Sequence, residues 1–318
     1  MDSQALRHRR LARRRSTRRR RAAVLAAIAL VAVIVIVLVS GSGGARMHRT
    51  AARSAQHASG SVTQSAAPSA SASAPAGAPG TGPVPILMYH VIAPPPASAP
   101  FPGLYVTPRE FAAQMQALKQ AGWHAVTLDQ VRAYWSRGAP LGAGKPIVLS
   151  FDNGYQSQYT QALPVLQRLG WVGDENVQLT GLPPSQGGLG EAQIRGLIAA
   201  GWELDTQGIS HANLIALDAQ QLHYQVAVAR SLLRQRYHVP VNWFCYPSGH
   251  YDANVIAAVR AAGYVGSTTV VPGWAHPADN LFRLHRLRVP GGTSPGELLS
   301  QIAGVRNEPP APATYSGA

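Results

Sequence analysis

The sequence predicts an α/β fold, a distorted (β/α) barrel, that follows a transmembrane anchor. From Val84 onward, short apolar runs alternate with amphipathic segments, which is typical of parallel strands joined by helices. Eight such runs are present, the number of strands in a (β/α) barrel. Near the N-terminus, residues 22–39 form an uninterrupted apolar run that favours a membrane helix.

The apolar run at 22–39 follows directly after ten arginines between Arg7 and Arg21. Eighteen residues span about 27 Å as a helix, close to the thickness of the bilayer core. The arginines predict that residues 1–21 stay cytoplasmic and that the rest is extracytoplasmic, in a single-pass membrane protein. The alternative is a cleaved signal peptide, with small residues at 40–45 as the cleavage region. The length of the run favours the uncleaved anchor.

Charge is concentrated in this N-terminal part. Of the formal net charge of +14, residues 1–53 contribute +12, from 13 Arg against one Asp. The remaining chain holds 15 Lys or Arg against 13 Asp or Glu, a net charge of +2. Because membrane topology accounts for the arginines, we do not expect a nucleic-acid partner. The single Cys245 excludes an internal disulfide framework.

Composition divides the rest of the chain into three parts. Residues 40–83 are mainly small and polar, and they predict a disordered linker. Residues 84–308 are long enough to bury one sizeable core and form the predicted domain. Residues 309–318 are predicted to be a disordered tail.

The predicted strands cover residues 85–90, 124–128, 146–151, 176–180, 202–205, 241–246, 264–269 and 284–289. Helices lie between them. Thr107 begins one with a capping box, and Asp218 and Asp252 begin two others. Gly122 and Gly263 end the first and third of these helices.

Polar residues follow the predicted strands where the carboxyl ends of a barrel would carry a site. The clearest group is Ser150-Phe151-Asp152-Asn153-Gly154, at the end of an apolar run. Its carboxylate is suited to proton transfer or metal binding. The alternative for this segment alone is a strand that ends in an Asn-Gly turn.

Four ordered motifs resemble those of the NodB-type polysaccharide deacetylases, carbohydrate esterase family 4. They are Tyr89-His90, as in the permuted branch of the family, the pentapeptide 150–154, the loop 203–211, and the segment 244–249. The resemblance spans residues 84 to about 303 and implies the family's (β/α) barrel.

The resemblance also implies roles for individual residues. Asp152 holds the general-base position and His90 the acid position. Asn153, Gln207 and His211 hold the three positions of a divalent, zinc-type metal. Amide side chains are poor zinc donors. Two of the three ligands are therefore replaced, and weak or absent metal binding is expected.

Three alternatives concern neighbouring residues. Asp205 or Glu203 is an alternative metal ligand. The pair Leu284-His285 resembles the acid motif of unpermuted relatives, but a structural role is favoured because His90 already holds the acid position. The arginine that orients the base in the family is expected to be missing, since Cys245 stands at its position.

Four residues are predicted to bind substrate: Tyr155, Tyr246, Pro247 and Trp274. Aromatic rings stack on sugars, although core packing is the alternative for each ring. The predicted function is hydrolysis of N- or O-acetylated cell-envelope glycans, with polysaccharide or peptidoglycan as the partner. The alternative is a catalytically inactive, glycan-binding pseudoenzyme of the same fold.

Overall fold

The structure, a computed structural model, describes residues 77–182 and 187–317. These residues belong to one structural unit. The predicted cytoplasmic tail, the predicted membrane span and most of the predicted linker lie outside the described residues. Within the described ranges, no helix is both long and apolar enough to cross a membrane.

In the described ranges nine strands form one sheet, and its mainly parallel pairing confirms the predicted α/β class. The strands are β1 Val84–Tyr89, β2 Trp123–Ala125, β3 Lys145–Asn153, β4 Asp174–Val177, β5 Glu203–Thr206, β6 Trp243–Cys245, β7 Gly266–Thr268, β8 Trp274–Ala275 and β9 Leu287–Arg288. The sequence prediction missed the short β8.

The strand order is β7-β6-β5-β4-β3-β1-β8, with β2 beside β3 and β9 beside β1. Only β8 runs antiparallel to its neighbour among the paired strands described. Leu284 forms a parallel bridge with Thr268 in β7, and β9 follows it and pairs with β1. The segment 284–288 therefore connects two distant parts of a curled sheet.

The described residues form eight α-helices around the sheet. They are α1 Pro108–Gln120, α2 Leu128–Arg137, α3 Leu163–Leu169, α4 Glu191–Ala199, α5 Ala219–His223, α6 Ala229–Tyr237, α7 Ala253–Ala261 and α8 Pro295–Gly304. The predicted capping box at Thr107 is present, since its side chain accepts from the backbone N–H of Glu110. Five-residue π-helical segments precede α3 and α6, at Gln158–Ala162 and Tyr224–Val228.

Side-chain alternation along β3 explains where the site lies. Ile147, Leu149 and Phe151 pack in the main core between sheet and helices. Ser150 and Asp152 point to the opposite, concave face, because successive strand residues alternate. Both are buried. A polar group at the carboxyl end of β3 is therefore enclosed by the curled sheet.

The two ends of the predicted domain differ from expectation. Residues 77–83, assigned to the linker, are described, and Gly80 N–H donates to the carbonyl oxygen of Tyr134 in α2 at 2.9 Å. Tyr315, assigned to the disordered tail, exchanges two backbone hydrogen bonds with Tyr251, each of 2.8 Å. Residues at both predicted boundaries therefore pack on the domain. Backbone hydrogen bonds hold them there, although their side chains have little apolar surface to bury.

Candidate active site

A buried ion pair lies at the carboxyl end of β3. Nη1 of Arg286 donates to Oδ1 of Asp152 at 2.7 Å, and Nη2 donates to Oδ2 at 2.9 Å. Asn176 in β4 donates a further hydrogen bond to Oδ1 at 3.0 Å. Such a two-pronged contact fixes the plane of the carboxylate as well as its position.

The ion pair controls the charge of Asp152. Burial by itself would raise the pKa of this carboxyl, but the Arg286 guanidinium, with help from His90 and Asn176, lowers the pKa to about 2. Asp152 is therefore ionised at neutral pH. Four donors surround its two oxygens when the Cys245 thiol at 3.5 Å from Oδ2 is included, which is about the capacity of a carboxylate.

The expectation that the site lacks an arginine beside the base is wrong. Cys245 does occupy the motif position, and its Sγ lies 3.1 Å from Nη2 of Arg286. Arg286 reaches Asp152 from the segment between Leu284 and β9, 134 positions further along the chain. Its Nε also donates to the carbonyl oxygen of Thr269 at 2.7 Å. The contact forms because the sheet curls, so short-range sequence patterns do not predict it.

His90 lies next to this pair, directly after β1. Its Nε2 is 3.9 Å from Oδ2 of Asp152. Burial lowers the pKa of His90 to about 4, although the Asp152 carboxylate acts in the opposite direction. Nε2 of Gln158 donates to the carbonyl oxygens of both His90 and Asp152, at 2.9 and 2.8 Å. The structure thus brings together the two predicted catalytic residues, with a neutral imidazole at pH 7.

The three predicted metal-ligand residues lie beside Asp152 and His90, at the carboxyl ends of the strands. We call this region the mouth. Asn153 has a φ of 77°, in the left-handed region that asparagine tolerates better than most residues. Its backbone N–H donates to Oε1 of Gln207 at 3.0 Å, and its Nδ2 donates to Oε1 of Gln178 at 3.1 Å. Burial lowers the pKa of His211. The negative charge of nearby Asp152 partly offsets this shift.

These residues do not fit a zinc-type metal. The oxygen of Gln207 already accepts from a backbone N–H, and the amide of Asn153 binds Gln178. No cluster of three or more His, Cys, Asp or Glu side chains suited to a metal occurs in the described part of the chain.

The alternative ligand Asp205 is also engaged elsewhere. Its Oδ1 accepts from the backbone N–H groups of Asn242 and Trp243, at 3.2 and 2.8 Å. Glu203, the other alternative, accepts from the backbone N–H of Asp129 at 3.0 Å. Asp129 lies at the start of α2, and Asn242 and Trp243 lie at the amino end of β6, so both carboxylates are held away from the carboxyl ends of the strands.

Two of the four predicted substrate residues are core residues instead. Tyr246 is fully buried and donates to the carbonyl oxygen of Phe282 at 2.9 Å. Trp274 donates to the carbonyl oxygen of Ile302 at 2.7 Å and pairs with Pro85, at the end of β1 remote from His90. The sugar-stacking prediction is wrong for both rings, because packing against other elements covers them.

The other two predicted substrate residues lie nearer the mouth. Tyr155 follows Gly154 and packs with Val91 and Tyr105. Burial, together with the nearby Tyr105 and Asp152, raises the pKa of Tyr155 to about 12. Pro247 lies in the short helical turn after β6 and is buried. Sugar binding by Tyr155 and Pro247 stays a prediction.

His285 has the structural role favoured for it. It is 1% exposed, and neither ring nitrogen has a hydrogen-bond partner among the described residues. Burial lowers the pKa of this histidine. The His285 ring packs against Gly273, whereas Arg286 enters the site beside Asp152.

Fold and site together define a class of protein: an α/β domain with a curled, mainly parallel sheet that gathers a carboxylate, an arginine and a histidine at the carboxyl end of β3. Residues 142–267 match the family model for polysaccharide deacetylase. This match, together with the relatives described next, identifies a polysaccharide deacetylase domain in the chain and supports carbohydrate deacetylase activity, a hydrolysis.

Individual relatives agree with this assignment. YxkH of Bacillus subtilis (strain 168), named as a polysaccharide deacetylase, is 28% identical over 214 residues, which are 66% of this chain and 73% of YxkH. The Streptococcus pyogenes deacetylase PplD, solved in complex with acetate, has a TM-score of 0.64 and 26% identity, covering 72% of this chain and 100% of PplD. The polysaccharide deacetylase BA0330 from Bacillus anthracis has a TM-score of 0.62 and 25% identity. The match covers 70% of this chain and 69% of BA0330.

Proposed function

We propose that the domain hydrolyses acetyl groups from N- or O-acetylated cell-envelope glycans. The observation that carries this proposal is the buried pair of Asp152 and Arg286 with His90 beside it. The match to a deacetylase family model and similarity to a deacetylase that was solved with acetate support the reaction class. Assignment to the permuted branch rests on the Tyr89-His90 motif and is part of the proposal.

His90 is the better proton acceptor of the two predicted catalytic residues. Asp152 is saturated with donors and has a pKa of about 2, whereas His90 is neutral above about pH 4. In the proposed reaction, water attacks the acetyl carbonyl carbon and gives its proton to His90. The bond from that carbon to the sugar nitrogen or oxygen breaks, and His90 returns the proton to the leaving group. Asp152 stabilises the protonated imidazole.

The test measures acetate release by the purified full-length protein. The substrates are N-acetylated chitotetraose, peptidoglycan and O-acetylated xylan, each with EDTA and with added zinc. We expect release in EDTA, and we expect His90→Gln to lower kcat by about 100-fold or more with little change in glycan affinity. His223→Gln, at an exposed position in α5, is the matched control.

A second candidate function is glycan binding without turnover. The observation in its favour is that amides occupy two predicted metal-ligand positions and bond to their neighbours. Glycan binding with no acetate release under any of these conditions would establish this function in place of hydrolysis.

A further inference from the structure

The orientation of the Gln207 side chain is determined by its partner. The backbone N–H of Asn153 can only donate, so the atom of Gln207 that lies 3.0 Å away must be the amide oxygen. The amide nitrogen, Nε2, therefore points away from Asn153. The backbone of Gln207 is itself fixed, because its N–H donates to the carbonyl oxygen of Val177 at 2.9 Å.

Nε2 of Gln207 is a donor without a partner among the described residues. Gln207 is only 2% exposed and follows β5 at the carboxyl end of that strand. Its amide lies beside Asn153, the residue that follows Asp152. A rigid donor of this kind costs little conformational entropy when it binds an acceptor.

The charge of the surrounding groups selects the acceptor. Arg286 neutralises Asp152, and His90 is uncharged at neutral pH because burial lowers its pKa. The neighbouring Asn153 and Gln178 are also neutral. A metal ion would lack anionic ligands here and would lie near a guanidinium, whereas a neutral carbonyl oxygen matches a single neutral N–H donor.

We propose that Nε2–H of Gln207 donates a hydrogen bond to the carbonyl oxygen of the glycan's acetyl group. Gln207 thus holds the acetyl group at the position where the family resemblance implies a metal. The inference rests on the proposed function only in taking an acetylated glycan as the ligand. It applies whether the bound glycan is hydrolysed or only recognised.

Gln207→Glu tests the donor function of the amide separately from its acceptor function. A carboxylate at this position still accepts from Asn153 N–H but has no N–H to donate. Gln178→Glu is the matched control, because it adds the same charge nearby, keeps the acceptor for Asn153 and leaves Gln207 intact. Gln207→Met removes the donor, and with it the acceptor for Asn153 N–H, without adding charge, and it covers the case in which Gln207→Glu fails to fold.

The experiment is calorimetric titration of full-length protein in EDTA, with His90→Gln present in every variant to prevent turnover. The probes are N-acetylated chitotetraose and its fully deacetylated counterpart. We expect both Gln207 variants to bind the acetylated probe at least tenfold more weakly, about 1.4 kcal/mol, and to lose the preference over the deacetylated probe. We expect Gln178→Glu to change affinity less than threefold.

The outcomes distinguish this inference from the proposed function. If the reference protein prefers the acetylated probe and both Gln207 variants keep that preference, the inference is overturned and the proposed function stands. Equal weakening by Gln178→Glu and Gln207→Glu, with Gln207→Met unaffected, would reveal a charge effect and would also overturn it. If the reference protein binds no acetylated glycan, the proposed function fails first.

Discussion

Arg286 and Asp152 determine the electrostatics of the mouth. Both side chains are removed from water, with 0% and 2% of their side-chain surfaces exposed. Desolvation of two charges is costly, and their mutual contact offsets that cost only while both are present. The main effect of the pair is therefore to give the site a fixed geometry and no net charge. Its net contribution to the free energy of unfolding is smaller.

Removal of one partner tests this reasoning. Arg286→Met leaves Asp152 buried without its cation, and we expect a loss of about 3 to 5 kcal/mol in the free energy of unfolding. The measurement is urea unfolding at pH 7. Arg288→Met, at an exposed position two residues further on, is the control and should cost about 0.5 kcal/mol or less.

The double variant Asp152→Asn with Arg286→Met gives the decisive comparison. It removes both charges, and we expect it to recover a large part of the stability lost by Arg286→Met alone, because neighbouring residues do not act additively. A double variant less stable than either single variant would contradict the ion-pair account.

At the scale of elements, the start of α2 docks on the amino ends of β4 and β5 through carboxyl groups. Asp174 accepts from the backbone N–H of Leu128, and Glu203 accepts from that of Asp129, both at 3.0 Å. Burial raises the pKa of Asp174 well above its usual range, and the neighbouring Glu203 adds to this. Burial also raises the pKa of Glu203 to about 7. Burial therefore favours the protonated forms of the Asp174 and Glu203 carboxyl groups.

Asp174→Asn should change how stability depends on pH. The pKa of Asp174 is 3.8 before burial and higher when folded, so protonation stabilises the fold fully below about pH 4. That contribution is lost as the pH rises through the folded-state pKa. Asparagine does not titrate and still accepts from Leu128. We expect the variant to gain, relative to the wild type, on the order of 1 kcal/mol or more between pH 4.5 and pH 8.

Urea unfolding of both proteins at the two pH values measures this gain. Asp218→Asn, at an exposed helix cap, is the control for replacing a carboxylate by an amide. The same stability difference between Asp174→Asn and wild type at both pH values would show that Asp174 keeps an ordinary pKa in the folded protein.

At the scale of the whole molecule, an arginine-rich N-terminal sequence precedes the polysaccharide deacetylase domain. We propose that residues 22–39 anchor the protein in a membrane, with the domain on the extracytoplasmic side, because ten arginines precede the apolar run. The small and polar residues after this run would give the domain a reach of roughly 35 Å from the membrane. This arrangement would place the site beside cell-envelope glycans.

Cell fractionation tests the anchor. The full-length protein should sediment with membranes, and protease added outside the cell should release the domain by cleavage between Gly41 and Ala76, before the residues that pack on the domain. Replacement of Ile34 and Val35 by Asp should abolish membrane association, since charges within a span are costly. Soluble export of a protein whose N-terminus lies near Ala45 would instead support the cleaved signal peptide.

The sequence by itself determined the parts of this protein that depend on neighbouring residues. The apolar run ending at Asp152 predicted both β3 and the polar strand end, because alternation and strand length are local properties. The capping box at Thr107 located the start of α1 for the same reason. Motif order along the chain was enough to indicate the family, and it named Asp152 and His90 as a pair.

Only the tertiary structure decided which side chains meet. Asp152 and Arg286 are far apart in sequence, and no pattern around Arg286 distinguishes a site residue from a strand residue. Tyr246 and Trp274 look like sugar platforms in the sequence, but their exposure depends on elements that pack over them from elsewhere in the chain. The hydrogen bond from Asn153 to Gln207 likewise required the register of β3, β4 and β5. Contacts of this kind depend on how the sheet curls, which is a property of all its strands together.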